Sequence, residues 1–181
     1  NNLLLSASGA NFGFKCTLPH VFGVIAGFLL IVLLACLGLG WVLGEIPRVM
    51  RALQFGGLLV IGYLAYQFWN MEPSKEESRG RPMRFIEAAA FQWINPKAWV
   101  MAVGAIATYT VVGSNYGIQV VTIALIFLIF GAPCSLLWLW FGASLKRFLQ
   151  KPDSVKRFNY AMAALLVTSL LPVFNELFRQ I

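Results

Sequence analysis

Four long uncharged windows organise the chain: Val21–Gly44, Ala52–Met71, Ala98–Leu145 and Phe158–Asn175, of 24, 20, 48 and 18 residues. A helix needs about 20 apolar residues to cross the roughly 30 Å hydrocarbon core of a bilayer. Each window therefore reads as a membrane span, and the longest as two. The breaks carry turn or charge signals: Gly13-Phe14-Lys15, Glu45-Ile46-Pro47-Arg48, the polar stretch Glu72–Glu87, the glycine-rich turn Gly113–Gly117, and Lys146–Arg157 with Pro152-Asp153. Six segments follow, at about 1–12, 20–44, 52–71, 88–112, 117–145 and 158–178. The first is expected to be partial. Asn1–Phe14 has no charge, no initiator Met and no basic n-region, so it reads as the later part of a helix rather than a signal peptide.

The fold expected is an all-α membrane protein, one transmembrane domain over residues 1–181. Its six segments would form two inverted three-helix repeats, repeat one at about 1–71 and repeat two at about 88–181, joined by a cytoplasmic loop at 72–87. Segments one and four enter from opposite sides, and inverted repeats are the common plan of secondary transporters. A faint echo, Asn11-Phe12-Gly13-Phe14-Lys15 against Asn115-Tyr116-Gly117-Ile118-Gln119, fits a duplication.

Composition agrees. The chain is 59% hydrophobic and 12% charged, against about 45–50% and about 25% in soluble domains. That excludes a soluble enzyme, a nucleic-acid binder and a disulfide-stapled module; a β-barrel would instead alternate in polarity along strands of about ten residues. The net charge of +7 reads as the positive-inside rule. Ten of the 14 Lys and Arg fall in one set of alternate loops, at Lys15, at Lys75 to Arg84 and at Lys146 to Arg157, against three on the other side. Loops one, three and five are thus expected in the cytoplasm. Cys16, Cys36 and Cys134 are too scattered for a disulfide framework or a metal site, and no metal or cofactor is expected. Among the G-x-x-x-G pairs, only Gly23/Gly27 lies wholly inside a span, which makes it the best helix-packing face. Pro133 is expected to kink segment five and is a candidate hinge. His20, at the head of a span beside Lys15, reads as a surface histidine.

The chemistry concentrates in Phe91-Gln92-Trp93-Ile94-Asn95-Pro96-Lys97-Ala98-Trp99. Proline disrupts a helix interior but is welcome at a first helical position, and Asn is among the best N-caps. A broken helix follows, with one piece ending near Ile94 and a second starting at Asn95 and Pro96. Lys97 would then lie roughly 14 Å into the segment. A lysine at that depth is a functional-site hypothesis by default. With no acid inside any span, an anionic group should visit it, received by the helix N-terminus and the ammonium. Gln92 shares the helical face of Asn95, and Trp93 and Trp99 would line a cavity. The other reading makes 88–94 an interfacial helix, with Asn95-Pro96 starting a short span at the surface and Lys97 snorkelling to the headgroups.

Asn1-Asn2-Leu3-Leu4-Leu5, with Gly9 and Phe12-Gly13-Phe14 behind it, is similar to the first helix of the LysE/RhtB amino-acid exporter family just after its Pro-Gly-Pro motif. Asn95-Pro96-Lys97-Ala98, preceded by Phe85 and Phe91-Gln92-Trp93, resembles the family's second signature. Helix count and loop lengths agree, so the resemblance covers almost the whole chain; Pro-Gly-Pro itself is absent from it. The resemblance implies secondary-active export of amino acids or close derivatives across the bacterial inner membrane without ATP. Its substrates would be cysteine/O-acetylserine-like or threonine/homoserine-like. It also makes Asn1, Asn2, Asn95, Pro96 and Lys97 the substrate-binding candidates, with Asn1 or Asn2 at a matching break in the first half. Rival classes are an ion or metal efflux protein of the wider superfamily and a non-transporting membrane subunit. Partners expected are the bilayer and a small amino-acid substrate, with homo-oligomerisation and proton coupling left open. A proton antiporter would normally use an intramembrane acid; none is visible, and a desolvated Lys97 is the remaining carrier.

Overall fold

A single residue, Gly13, separates the first two helices. The computed structural model describes residues 1–38, 47–71, 81–111, 114–146, 149, 151–172 and 175. Gly40, Trp41, Gly44, Glu45, the loop at 72–80, Gly113 and Glu176 lie outside the described residues. Within them the chain is helical throughout, with no strand: α1 (Asn2–Phe12), α2 (Phe14–Cys36), α3 (Pro47–Trp69), α4 (Phe85–Trp93), α5 (Pro96–Tyr109), α6 (Tyr116–Leu145) and α7 (Pro152–Ser169). The turn at Gly13 has φ 88° and ψ 171°, a conformation open essentially to glycine alone.

Four helix starts precede the sequence expectation: α3 begins at Pro47 rather than 52 and α7 at Pro152 rather than 158, and two further shifts change the surroundings of candidate residues. The second segment begins at Phe14 rather than 20, so Cys16 lies in a helix and not in a loop, and Pro19 sits inside α2. The Thr17 hydroxyl donates to the Gly13 carbonyl there at 2.9 Å. The fourth segment begins at Phe85 rather than 88. Its first turn is organised by Glu87, which accepts from the Arg84 N–H at 2.9 Å and from both Arg81 guanidinium nitrogens at 2.7 and 2.5 Å. The Arg81 hydrogen bonds, helped by the Arg84 N–H, hold the Glu87 carboxyl down to about 2. Because the folded value lies below the ordinary one, this pair stabilises the fold fully above about pH 4.5 and loses its contribution as pH falls toward 2. The thermal stability of Glu87→Gln in detergent is therefore expected to fall slightly short of wild type at pH 7 and to match it near pH 2. The effect is small because both side chains are solvated.

Small residues set the packing. Every residue of α1 from Leu4 to Ala10 is buried, and α1 runs parallel to α6 in near-backbone contact. A Cβ on Gly9 would meet the Leu139 carbonyl oxygen at 2.6 Å, and one on Gly142 would strike the Ser6 backbone. The pairing of α2 with α4 repeats this arrangement. A Cβ on Gly23 would strike the Phe85 carbonyl, and one on Gly27 would meet Ala89 at 2.6 Å and Gln92 at 2.9 Å. Gly23 and Gly27 thus lie where two backbones approach closely. The third close partnership is α3 with α7, marked by Trp69 stacked on Tyr160 at 4.3 Å.

These pairings sort the helix ends. Asn11, at the end of α1, donates to Asn159 of α7 at 3.0 Å, and Gly13 faces the Lys146 ammonium. The end of the bundle that carries Lys15 thus also carries Lys146 and the start of α7. At the opposite end the Tyr116 hydroxyl donates to the Cys36 carbonyl at 2.6 Å. Among the described residues two helices, α2 and α6, are each long and apolar enough to cross a bilayer alone. Leu125, Ile126, Ile129, Phe130, Leu137 and Trp140 of α6 are exposed, a continuous apolar face suited to lipid.

Candidate functional site

The chain breaks between Trp93 and Pro96, and Asn95 builds the break. Its backbone is extended, its side-chain oxygen accepts from the Lys97 N–H at 3.2 Å, and Pro96 opens α5. The Asn95 N–H closes the preceding helix on the Gln92 carbonyl at 3.2 Å. Together α4 and α5 cover residues 85–109, about 37 Å of rise, with the interruption near the middle. Gly27, beside Gln92, is likewise near the middle of α2.

A cavity of about 910 Å³ lies at this level. Its polar wall includes Asn1 and Asn2 from the head of α1, Asn95 and Lys97 from the break, Ser135 from α6 and Ser169 from α7. Leu4, Val24, Phe28 and Phe127 are among its apolar wall. Lys97 is exposed toward this space. Among the described residues the one ion pair is Arg81–Glu87, and no carboxylate lines the cavity. The backbone donors of the α5 first turn are occupied: Lys97 N–H by the Asn95 side chain, and Ala98 N–H by the Asn95 carbonyl at 3.0 Å. The ammonium of Lys97, rather than the N–H groups, is thus the donor left for an anion.

The structure brings Asn1 and Gln92 together across 91 positions of sequence. Asn1 Nδ2 donates to Gln92 Oε1 at 2.7 Å, and Gln92 Nε2 reaches Asn1 Oδ1 at 3.3 Å and the Ala88 carbonyl at 3.1 Å. Gln92 is fully buried and does not line the cavity itself; it holds the head of α1 against the break. Truncating one partner strands a buried amide, at a cost of about 1–3 kcal/mol. Asn1→Ala and Gln92→Ala are accordingly expected each to lower thermal stability in detergent, with a double variant little worse than either single one.

Trp93 and Trp99 do not line the cavity. Trp99 is buried, donates its indole N–H to the Trp93 carbonyl at 2.9 Å, and meets the Trp93 ring edge-on at 5.9 Å. That carbonyl is one of the unsatisfied groups at a helix C-terminus, so the indole closes α4 and ties it to α5. The polar and apolar ends of an indole make such a tie and a cavity wall equally legible from sequence. Pro133 lies inside α6 between Ala132 and Cys134, both of which face the cavity.

His20 is buried, contrary to the surface position expected. Its Nδ1 lies 3.3 Å from the Ser8 hydroxyl. The early start of α2 is the cause: a span beginning at 20 would leave His20 at the surface, whereas a helix beginning at Phe14 carries it inward beneath α1. Asn11 and Asn159 form a second, partly buried polar contact that the sequence did not single out.

The family described as LysE type translocator matches residues 1–174. Curated relatives named cysteine/O-acetylserine efflux protein, from Escherichia coli and from Shigella flexneri, are 26% identical over 176 residues, spanning 96% of this chain and 88% of theirs. No solved structure matches. The family's members are transporters and not enzymes, integral to the inner membrane, and the chain belongs to the LysE type translocator family.

Proposed function

We propose that this protein is a secondary-active exporter of small amino acids or their close derivatives, of the cysteine and O-acetylserine kind, across the bacterial inner membrane. One observation carries the reading. A single cationic side chain, that of Lys97, faces a cavity that holds no carboxylate among the described residues, at an interrupted helix midway through the bundle. A free carboxylate is the group such a wall receives, and the amides of Asn1, Asn2 and Asn95 suit the polar remainder of the substrate. A lysine or arginine substrate would find no counter-charge for its side chain here, which favours neutral side chains. The relatives' name points the same way.

The two halves are read as inverted repeats, residues 1–71 against 88–181. Their pairings support this: the first helix of each half packs on the second of the other, α1 on α6 and α4 on α2, while the third helices α3 and α7 pack together. Both glycine-lined contacts are parallel, as a two-fold axis in the membrane plane requires. The Lys15 and Lys146 end is read as cytoplasmic from its positive charge. Rocking of one half against the other around the Lys97 cavity would then alternate access.

The test is export itself. Cells overexpressing the full-length gene are expected to excrete more O-acetylserine and cysteine than control cells and to tolerate more of either, with threonine and homoserine as comparison substrates and lysine unaffected. Unchanged excretion of all four neutral compounds would remove the reading.

A further inference from the structure

We propose that His20 carries the coupling proton of this transporter, in a polar contact with Ser8 that seals the cavity from the basic end of the bundle. The proposal rests on the exporter reading above and adds the ion that drives it. Position supports it first. Leu4 of α1 and Val24 of α2 both line the cavity. Ser8 lies one helical turn beyond Leu4, and His20 one turn before Val24, so the contact sits about 5.4 Å below the cavity wall, toward Lys15 and Lys146. Chemistry supports it second. His20 is 1% exposed, and the Ser8 hydroxyl is its hydrogen-bond partner. Among the described residues no protein group reaches Nε2. Buried polar groups in native proteins are nearly always paired, so a ring nitrogen left over at such a place points to a visiting proton or water.

Among the described residues the surroundings present no competing carrier. From α1, Ser8 and Asn11 approach this level and no side chain is charged, the amino end at Asn1 lying a further turn and more away. α2 carries only Lys15 before His20. From α4 the nearest ionisable group is Glu87, held by Arg81, with Arg84 beside it. α6 carries no charge before Lys146, and α7 has Asp153, Lys156 and Arg157 in its first turns near the same end. Among the described residues the acids are Glu87 and Asp153, each in the first turn of a helix. His20 is the chain's sole histidine, and imidazole is the side-chain group whose unperturbed pKa lies nearest neutrality.

The step balances simply. In the tautomer with hydrogen on Nδ1, the ring donates to Ser8 Oγ and Nε2 keeps its lone pair. A proton from the outer side binds Nε2 and forms the imidazolium. A buried cation without a counter-charge destabilises the sealed contact, so the α1–α2 side opens toward the cytoplasm. The proton then leaves Nε2 to cytoplasmic water, the neutral ring reseals, and no other bond forms or breaks. One substrate leaves the cell for each proton that enters.

Inside-out vesicles carrying the full-length protein and radiolabelled O-acetylserine test this. Exchange of labelled for unlabelled substrate without a pH gradient reports the cavity alone. Accumulation against an acid lumen reports coupling, about tenfold per pH unit for one-to-one exchange. His20→Gln keeps an amide for Ser8 and cannot carry the proton; its accumulation ratio is expected to fall to one while exchange persists. Accumulation by His20→Gln equal to wild type would overturn the proposal. So would loss of both readouts in protein that still elutes as a folded species, since that marks a structural role. Wild-type exchange with no response to the gradient would also overturn it while leaving the exporter reading intact, and absence of wild-type exchange would remove that reading and this one together.

Discussion

Replacing Lys97 by alanine is expected to lower kcat/KM for O-acetylserine export by about tenfold to a hundredfold, corresponding to the roughly 1.5–3 kcal/mol that a hydrogen bond to a charged group contributes. No other side chain on the described cavity wall carries positive charge, and the first backbone donors of α5 are engaged by Asn95. A substrate carboxylate would therefore lose its one charged partner. Lys97→Arg should retain part of the activity, because the charge stays and its shape changes. Stability should hardly move in either variant: Lys97 is exposed and no carboxylate is paired with it among the described residues. Initial export rates at several substrate concentrations, alongside thermal unfolding in detergent, separate the two effects. Export by Lys97→Ala at the wild-type rate would defeat the assigned role and leave the helical arrangement untouched.

Gly142→Ala is expected to destabilise the bundle more than any other single-methyl change described above. The added carbon would fall on the backbone of Ser6, with the Ser6 Cα 2.6 Å away. Backbone cannot turn aside as a side chain can, so α1 must leave α6. Overpacking of this kind costs about 1–3 kcal/mol, and α1, buried along its length, has nowhere to go. Gly62→Ala on α3, where the new carbon meets nothing within 4 Å, is the matched control and should leave stability intact. Midpoints of thermal unfolding in detergent report the difference. Equal midpoints for the two variants would mean that α1 and α6 do not meet as closely as described.

Much of this was legible in the sequence, for particular reasons. Apolar windows located the helices because bilayer thickness fixes their length. Asn95 and Pro96 announced a helix start because capping is local chemistry, confined to three or four residues. The starts at Phe14 and Phe85 were less legible: Lys15 and Pro19 look like loop residues, and only packing beneath α1 makes a helix through them worthwhile. His20 followed from that error, since one extra turn and a half of helix decides whether it meets water or Ser8. The Asn1–Gln92 pair could not be read at all, because nothing in either neighbourhood records a contact 91 positions away. The role of Trp93 and Trp99 was hidden for another reason, as the same side chains serve a wall or a tie.

That tie has a mechanical consequence. An interrupted helix held only by its chain would act as a loose joint, and a metabolite arriving at Lys97 would be absorbed by local give. With the Trp99 indole bonded across the gap to Trp93, the two pieces form a bracket of fixed angle. A push at one arm must then swing the other, so the load passes through Gly23 and Gly27 into α2 rather than dissipating where it was applied.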